Sequence, residues 1–158
     1  MTALCAGAAS KVAPVDYVNP YMGNISHLLQ PTLPTVHVPY GMMRVYPQRG
    51  SYVDTRINGL PVVIINHREN GCFNISATQS QELRHVIGTD WDNETVKPYY
   101  YSVDIDGQRV KAEYAPCEHS AIYRFSYREN SPGYIVVNSG DGDMTVSGNE
   151  ITGFQKTW

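Results

Sequence analysis

The stretch Tyr99-Tyr100-Tyr101-Ser102-Val103-Asp104-Ile105-Asp106-Gly107-Gln108-Arg109-Val110-Lys111-Ala112-Glu113-Tyr114 decides the fold class. Tyr99, Tyr101, Val103 and Ile105 alternate with Tyr100, Ser102, Asp104 and Asp106. Beyond the Asp106-Gly107 turn signal, Val110, Ala112 and Tyr114 alternate with Lys111 and Glu113. Side chains of an extended chain point to opposite faces in turn, so period two on both sides of an Asp-Gly pair predicts a tight antiparallel hairpin. Its aromatic and aliphatic face turns inward, where each side chain contributes about 1.5–3 kcal/mol when fully buried. The other face sets acids on the first strand against Lys111 on the second.

The same period recurs downstream. Ala121, Tyr123, Phe125 and Tyr127 share one face while Arg124 and Arg128 take the other. A turn is expected at Glu129-Asn130-Ser131-Pro132-Gly133, then strands over Tyr134–Asn138 and over Val146–Phe154 around Gly148-Asn149. No window of eleven residues shows a helical period. Twelve Tyr, ten Pro and thirteen Gly favour short strands and turns. The class read from this is all-β, and 158 residues is the length of one domain. A net charge of −3 and a charged fraction of 17% provide no basic field for nucleic acid.

Upstream of the hairpin, Thr78 to Val96 is polar with little period and reads as surface loop, with Trp91 flanked by Asp90 and Asp92. Cys72-Phe73-Asn74-Ile75-Ser76 alternates, which puts Phe73 and Ile75 on one face. Between Pro34 and Ala77, a Pro-bounded strand is expected over Thr35–Pro47, followed by turn signals at Gln48-Arg49-Gly50-Ser51 and Asn58-Gly59. Val62 to Ile65 is an apolar run of strand length, expected to be buried on both faces. It ends in Asn66-His67-Arg68-Glu69-Asn70. A rigid element that delivers hydrogen-bonding side chains to its rim is how many folds build binding sites, and a solvated turn has the same composition. Trp91 is a large ring whose ordinary partial burial accounts for it.

The first residues, Met1 to Ser10, are small and apolar without a basic start, like the tail end of a signal peptide or a disordered leader. Cys5 is a candidate for lipid modification. The expected division is a leader over 1–12 and a sandwich over 13–158. Three cysteines leave one unpaired and none lies in a CxxC spacing, so no disulfide framework is expected. Cys117-Glu118-His119, read as strand, would point to alternate faces and fail to converge on a metal. Asn138, Asp141 and Asp143 resemble calcium ligands but lack the spacing and terminal Glu of a dedicated loop; a Gly/Asp turn accounts for them. Asn24, Asn74 and Asn93 begin glycosylation-type sequons at the frequency chance allows.

Asp16-Tyr17-Val18-Asn19-Pro20-Tyr21-Met22-Gly23, then Pro34-Thr35-Val36-His37-Val38-Pro39-Tyr40-Gly41-Met42, then Tyr99 to Ile105 together resemble the N-terminal domain of the glycoside hydrolase family 92 α-mannosidases. The resemblance runs from about Val15 to about Phe154. It implies an antiparallel β-sandwich packed on a C-terminal (α/α)6 catalytic domain, with the sugar cleft between the two, and it leaves room for a sandwich cut short at Trp158. It also implies a calcium-dependent, inverting exo-α-mannosidase exported by a bacterium to the periplasm, the medium or the cell surface. Mannose-containing glycans would be its partners, and the acid, base and calcium ligands would lie mainly on the C-terminal domain. No catalytic residue, metal ligand or cofactor is then expected in this chain itself. By position, His67, Arg68 and Asn70 would face the cleft as substrate-binding residues, and Trp91, flanked by Asp90 and Asp92 in a loop, would offer an apolar platform for a sugar face. Many members carry a Gly-Phe-Ser-His-type segment and a later Gly-Cys with acidic neighbours; here Gly59-Leu60-Pro61-Val62 and His67-Arg68-Glu69-Asn70-Gly71-Cys72 stand instead, which leaves the substrate specificity open. Two other readings remain open: a free-standing carbohydrate-binding sandwich, and an interaction module that self-associates through an unpaired strand edge or the interdomain face.

Overall fold

Period-two patterns separated by turns become thirteen short strands in a computed structural model that describes residues 12–22, 33–50, 54–65, 71–81, 83–84, 86–128 and 131–156. After a single 3-10 turn at Pro14–Tyr17 come β1 (Val36–His37), β2 (Arg44–Val45), β3 (Arg56–Ile57), β4 (Val63–Ile64), β5 (Gly71–Cys72), β6 (Asn74–Thr78) and β7 (Thr89–Lys97). They are followed by β8 (Tyr100–Ile105), β9 (Val110–Pro116), β10 (Ala121–Tyr127), β11 (Tyr134–Asn138), β12 (Gly142–Ser147) and β13 (Glu150–Gln155). No α-helix occurs among the described residues. The all-β, antiparallel, sandwich-like class follows.

The hairpin around Asp106-Gly107 is the centre of a five-stranded sheet in the order β10-β9-β8-β7-β3, every pair antiparallel. Its register pairs Ile105 with Val110, Val103 with Ala112 and Tyr101 with Tyr114, so the six inward residues form three matched rows. All six are buried, and they form the core with Val96, Ile57, Leu60, Ile64, Ala77, Val36, Val45 and Tyr46. Ala121, Tyr123, Phe125 and Tyr127 of β10 pack against its edge on the face the alternation predicts. Asp104 sits opposite Lys111, as the charge pattern requires.

Several expectations change. The strand expected over Thr35–Pro47 is two strands, β1 and β2, paired antiparallel about a reversal at Pro39–Gly41. Pro39 favours a turn, Tyr40 adopts φ 61°, and the Gly41 amide donates to the Val38 carbonyl at 3.0 Å. Of the Val62–Ile65 run, only Ile64 is buried, because β4 pairs with β5 alone and packs one face toward β2. Phe73 adopts φ 53° and breaks the alternation, so β6 buries Asn74, Ser76, Ala77 and Thr78 while Ile75 is half-buried. The region read as loop from Thr78 to Val96 contains the nine-residue strand β7, which carries Trp91 in its middle. Cys117–Ser120 is the β9–β10 turn, closed by the Cys117 amide on the Ser120 carbonyl at 2.7 Å, so the strand argument about Cys117 and His119 does not apply. Cys117 is an exposed free thiol. The Asn138–Asp143 run links β11 to β12, with Asp143 accepting from the Met144 amide at 2.8 Å.

Candidate functional site

The cluster around Trp91 arises from one irregularity in β7. Trp91 pairs with Ile105 and Val96 with Tyr101, five steps on β7 against four on β8, so a β-bulge lies between Asp92 and Thr95. Asn93 takes the left-handed conformation there, φ 54°, which asparagine tolerates better than most residues, and its side-chain amide donates to Asp104 at 2.8 Å. The extra residue leaves Asp92 and Asn93 both exposed and brings Trp91, Glu94 and Val96 onto the inward face.

Glu94 therefore points into the protein, and its side chain is only 7% exposed. Its Oε1 accepts hydroxyl bonds from Tyr46 at 3.0 Å and Tyr101 at 2.9 Å, and its Oε2 accepts from Tyr21 at 3.0 Å. The charge is met by Arg49, whose Nη2 lies 3.5 Å from Oε1 and also donates to the Tyr46 hydroxyl. Arg49 is 9% exposed in its side chain, with its guanidinium 4.5 Å above the Trp91 ring and 5.1 Å from that of Tyr46. Tyr46 and Tyr101 meet edge to face at 6.0 Å. Burial first, then the negative charge of Glu94, pushes the hydroxyls of Tyr21, Tyr46 and Tyr101 well above the usual phenol range, so they stay protonated donors. Both carboxylate oxygens are thus occupied.

Distant segments meet here. Tyr21 is held by an Asn19 turn, its amide donating to Asn19 Oδ1 at 3.0 Å, and the Tyr99 hydroxyl donates to Asp16 at 2.6 Å. The Asp16–Tyr21 motif is thereby fastened to β7 and to the Tyr-rich start of the hairpin. Arg49 is fixed through Gln48, whose amide donates to Gly59 at 2.9 Å and whose carbonyl accepts from Asn58 at 2.8 Å. Of the residues expected to bind substrate, Trp91 belongs to this cluster, on a strand rather than in a loop and partly buried against the core. His67, Arg68 and Asn70 lie outside the described residues. Gly71, which follows them, abuts Gln48 so closely that a Cβ there would come within 2.2 Å of Gln48 Nε2. Glu94, Arg49, Tyr46 and Tyr21 escape a reading of the sequence alone; the available signal is the spacing Trp91-x-x-Glu94-x-Val96 around an asparagine.

A second carboxylate lies on the other face of the sheet. Glu113 accepts both Nε and Nη2 of Arg124, at 2.6 and 2.8 Å, and the Tyr100 hydroxyl at 2.6 Å. The Arg124 fork, then the Tyr100 hydroxyl, lowers its carboxyl to about 2.

No curated protein matches the chain. A family profile described as the glycosyl hydrolase family 92 N-terminal domain matches residues 17–157, from just inside the Asp16–Tyr21 motif to just beyond β13. With nearly its whole length matched, the chain belongs to the glycosyl hydrolase family 92 N-terminal domains, a membership that implies a C-terminal catalytic domain in the full protein.

Proposed function

We propose that this domain forms one wall of the sugar-binding cleft of an exported, calcium-dependent, inverting exo-α-mannosidase, with bond breaking carried out by a C-terminal (α/α)6 domain. The family match over residues 17–157 carries the reading. Three carboxylates of this chain, Glu94, Glu113 and Asp106, fit it. An inverting glycosidase needs two carboxyl groups about 6.5–9.5 Å apart with space for a water between them. Glu94 is taken up by three tyrosines and Arg49, and Glu113 by Arg124 and Tyr100. Asp106 is taken up by the Thr78 hydroxyl and the Gln79 amide. Carboxylates so engaged hold structure, and the acid and base belong to the companion domain. Among the described residues no three His, Cys, Asp or Glu side chains gather as metal ligands, and this reading assigns the calcium ligands to the companion as well.

His67, Arg68 and Asn70 then supply hydrogen bonds to sugar hydroxyls, and Trp91 adds apolar contact from the part of its ring that Arg49 leaves uncovered. The small, apolar first ten residues support export to the periplasm, the medium or the cell surface.

The chain alone, given calcium and α-1,2-mannobiose, is expected to show no hydrolysis, and turnover by it would overturn the assignment of acid and base. In the full-length enzyme, His67→Ala, Arg68→Ala and Asn70→Ala should each weaken kcat/KM by about tenfold or more, the loss expected when a buried hydrogen-bonding partner of a sugar hydroxyl is removed.

A further inference from the structure

We propose that the cleft between the start of β7 and the β8–β9 turn binds a phosphate or sulfate monoester through Arg56, Arg84 and Arg109. It has a volume of about 460 Å³, and its wall includes these three arginines together with Thr78, Ser80 and Asp106. An adjoining hollow of about 280 Å³ shares Arg109 and adds Arg128. Four of the eight arginines of a chain with net charge −3 thus line two neighbouring hollows at one end of the main sheet.

Of the two acids of this cleft, Asp106 is engaged by the backbone side of the turn and Asp90 pairs with Arg56, the contact an anion would compete with. Asp106 Oδ2 accepts from the Thr78 hydroxyl at 3.1 Å and the Gln79 amide at 2.9 Å, so its charge is turned toward the backbone. Asp90 meets Arg56 at 3.5 Å where both side chains are largely exposed. Among the described lining residues three arginines stand against two aspartates, and Arg128 adds a fourth guanidinium in the adjoining hollow.

The geometry is fixed rather than incidental. Asp106, Gly107 and Gln108 all have positive φ, at 54°, 63° and 65°, and two of the three are not glycine. Such a turn persists only where neighbours over-determine it. Thr78 and Gln79 hold Asp106, and Gln108 Nε2 donates to Asp92 at 3.0 Å. Arg109 is tied on both sides, its amide donating to the Asp106 carbonyl at 3.3 Å and its carbonyl accepting from the Arg128 amide at 2.7 Å. The strained turn thereby sets the backbone from which Arg109 enters the cleft. The cationic side chains lining it are all arginine, and the planar guanidinium fork matches the paired oxygens of phosphate and sulfate. The polar wall suits a hydrated oxyanion better than an apolar ligand. The inference rests on this cleft alone and is independent of the mannosidase reading.

Titration calorimetry on the chain with glucose 6-phosphate, inorganic phosphate and glucose, at about 50 mM NaCl to limit screening, tests it. Saturable binding of one or both phosphates and none of glucose is expected. Arg109→Gln and Arg56→Gln should each weaken it about tenfold, and Arg109→Lys, which keeps the charge but loses the fork, about threefold. Arg124→Gln, on the Glu113 face, should leave it unchanged. Glucose 6-phosphate binding about tenfold tighter than inorganic phosphate would identify an ester as the ligand; equal affinities would identify the free oxyanion. No saturable binding up to about 10 mM, or equal weakening by Arg124→Gln and Arg109→Gln, would overturn the proposal, since that range covers the weak end of specific recognition.

Discussion

Replacing Glu94 by leucine removes the acceptor on which three hydroxyls and one guanidinium converge. Tyr21 is 42% exposed and can turn to water, but Tyr101 is fully buried and Tyr46 is 2% exposed, so their O–H donors lose their acceptor, while the Tyr46 oxygen keeps its bond from Arg49. Each buried orphan costs about 1–3 kcal/mol. Arg49 is left as a buried charge with no counter-ion, and breaking a buried pair from one side costs about 3–5 kcal/mol. These costs overlap because the groups share one site, so Glu94→Leu is expected to destabilise the domain by about 4–6 kcal/mol. That is much of the roughly 5–15 kcal/mol of a typical domain. The informative variant is the double one. Arg49→Met with Glu94→Leu removes the stranded charge and keeps aliphatic volume over Trp91, so the pair should be about 2–3 kcal/mol more stable than Glu94→Leu alone. Urea unfolding followed by far-UV circular dichroism reads this directly. A double variant no more stable than Glu94→Leu would show that Arg49 serves the fold by stacking on Trp91 and Tyr46 and not by balancing Glu94.

Two further outcomes follow from other parts of the sheet. Glu113 has a carboxyl lowered from 4.5 to about 2, so its contribution is complete above about pH 4.5 and is lost as the pH falls toward 2. Undiscounted, that shift is worth about 3 kcal/mol; the partner Arg124 is largely exposed, so screening reduces it to about 1–2 kcal/mol. Arg124→Gln should flatten the acid limb of the stability profile, and an unchanged loss between about pH 5 and 3 would count against the pair. Gly59→Ala should destabilise by about 2–4 kcal/mol, because Gly59 has φ 127° and a Cβ there would fall 1.9 Å from Asn74 Oδ1 and 2.7 Å from Ser76 Oγ. Unchanged thermal stability would mean that β6 gives way at no cost.

The hairpin was legible because both conditions for reading a strand were met at once. From Tyr101 to Tyr114 its inward residues are aliphatic or aromatic and its ladder runs without interruption, so period two in the sequence is period two in space there, while Tyr99, expected inward, is exposed and bonds Asp16. β10 was legible for the same reason. β6 was not, because it is covered on both sides. Asn74, Ser76 and Thr78 are buried against polar neighbours, with the Asn74 amide donating to the Asn58 carbonyl at 2.8 Å and the Thr78 hydroxyl to Asp106. A rule that sends polar side chains to water assigns such a strand the wrong face. The strand expected over Thr35–Pro47 failed differently. Pro39 stands at a position an extended edge strand tolerates, and the reversal depends on Tyr40 accepting a positive φ, which no propensity favours for tyrosine.

The Glu94 cluster was hidden by the bulge that builds it. Without the bulge, strict alternation would put Trp91, Asn93 and Thr95 on one face and Asp92, Glu94 and Val96 on the other, with no apolar face on either, which is the pattern of a loop. One extra residue at Asn93 joins Trp91 to Glu94 and Val96, and converts a segment without period into the strand that carries the most heavily bonded carboxylate described in this domain. A buried acid and a buried arginine are then tolerated because their partners come from four separate stretches, Tyr21, Tyr46 with Arg49, Trp91 with Glu94, and Tyr101, none of which displays a charge pairing in its own sequence. The irregularity and the polar cluster have one cause. A bulge re-aims a side chain that the pleat would have sent to solvent, and the domain places there the group that fastens its N-terminal motif to its central sheet.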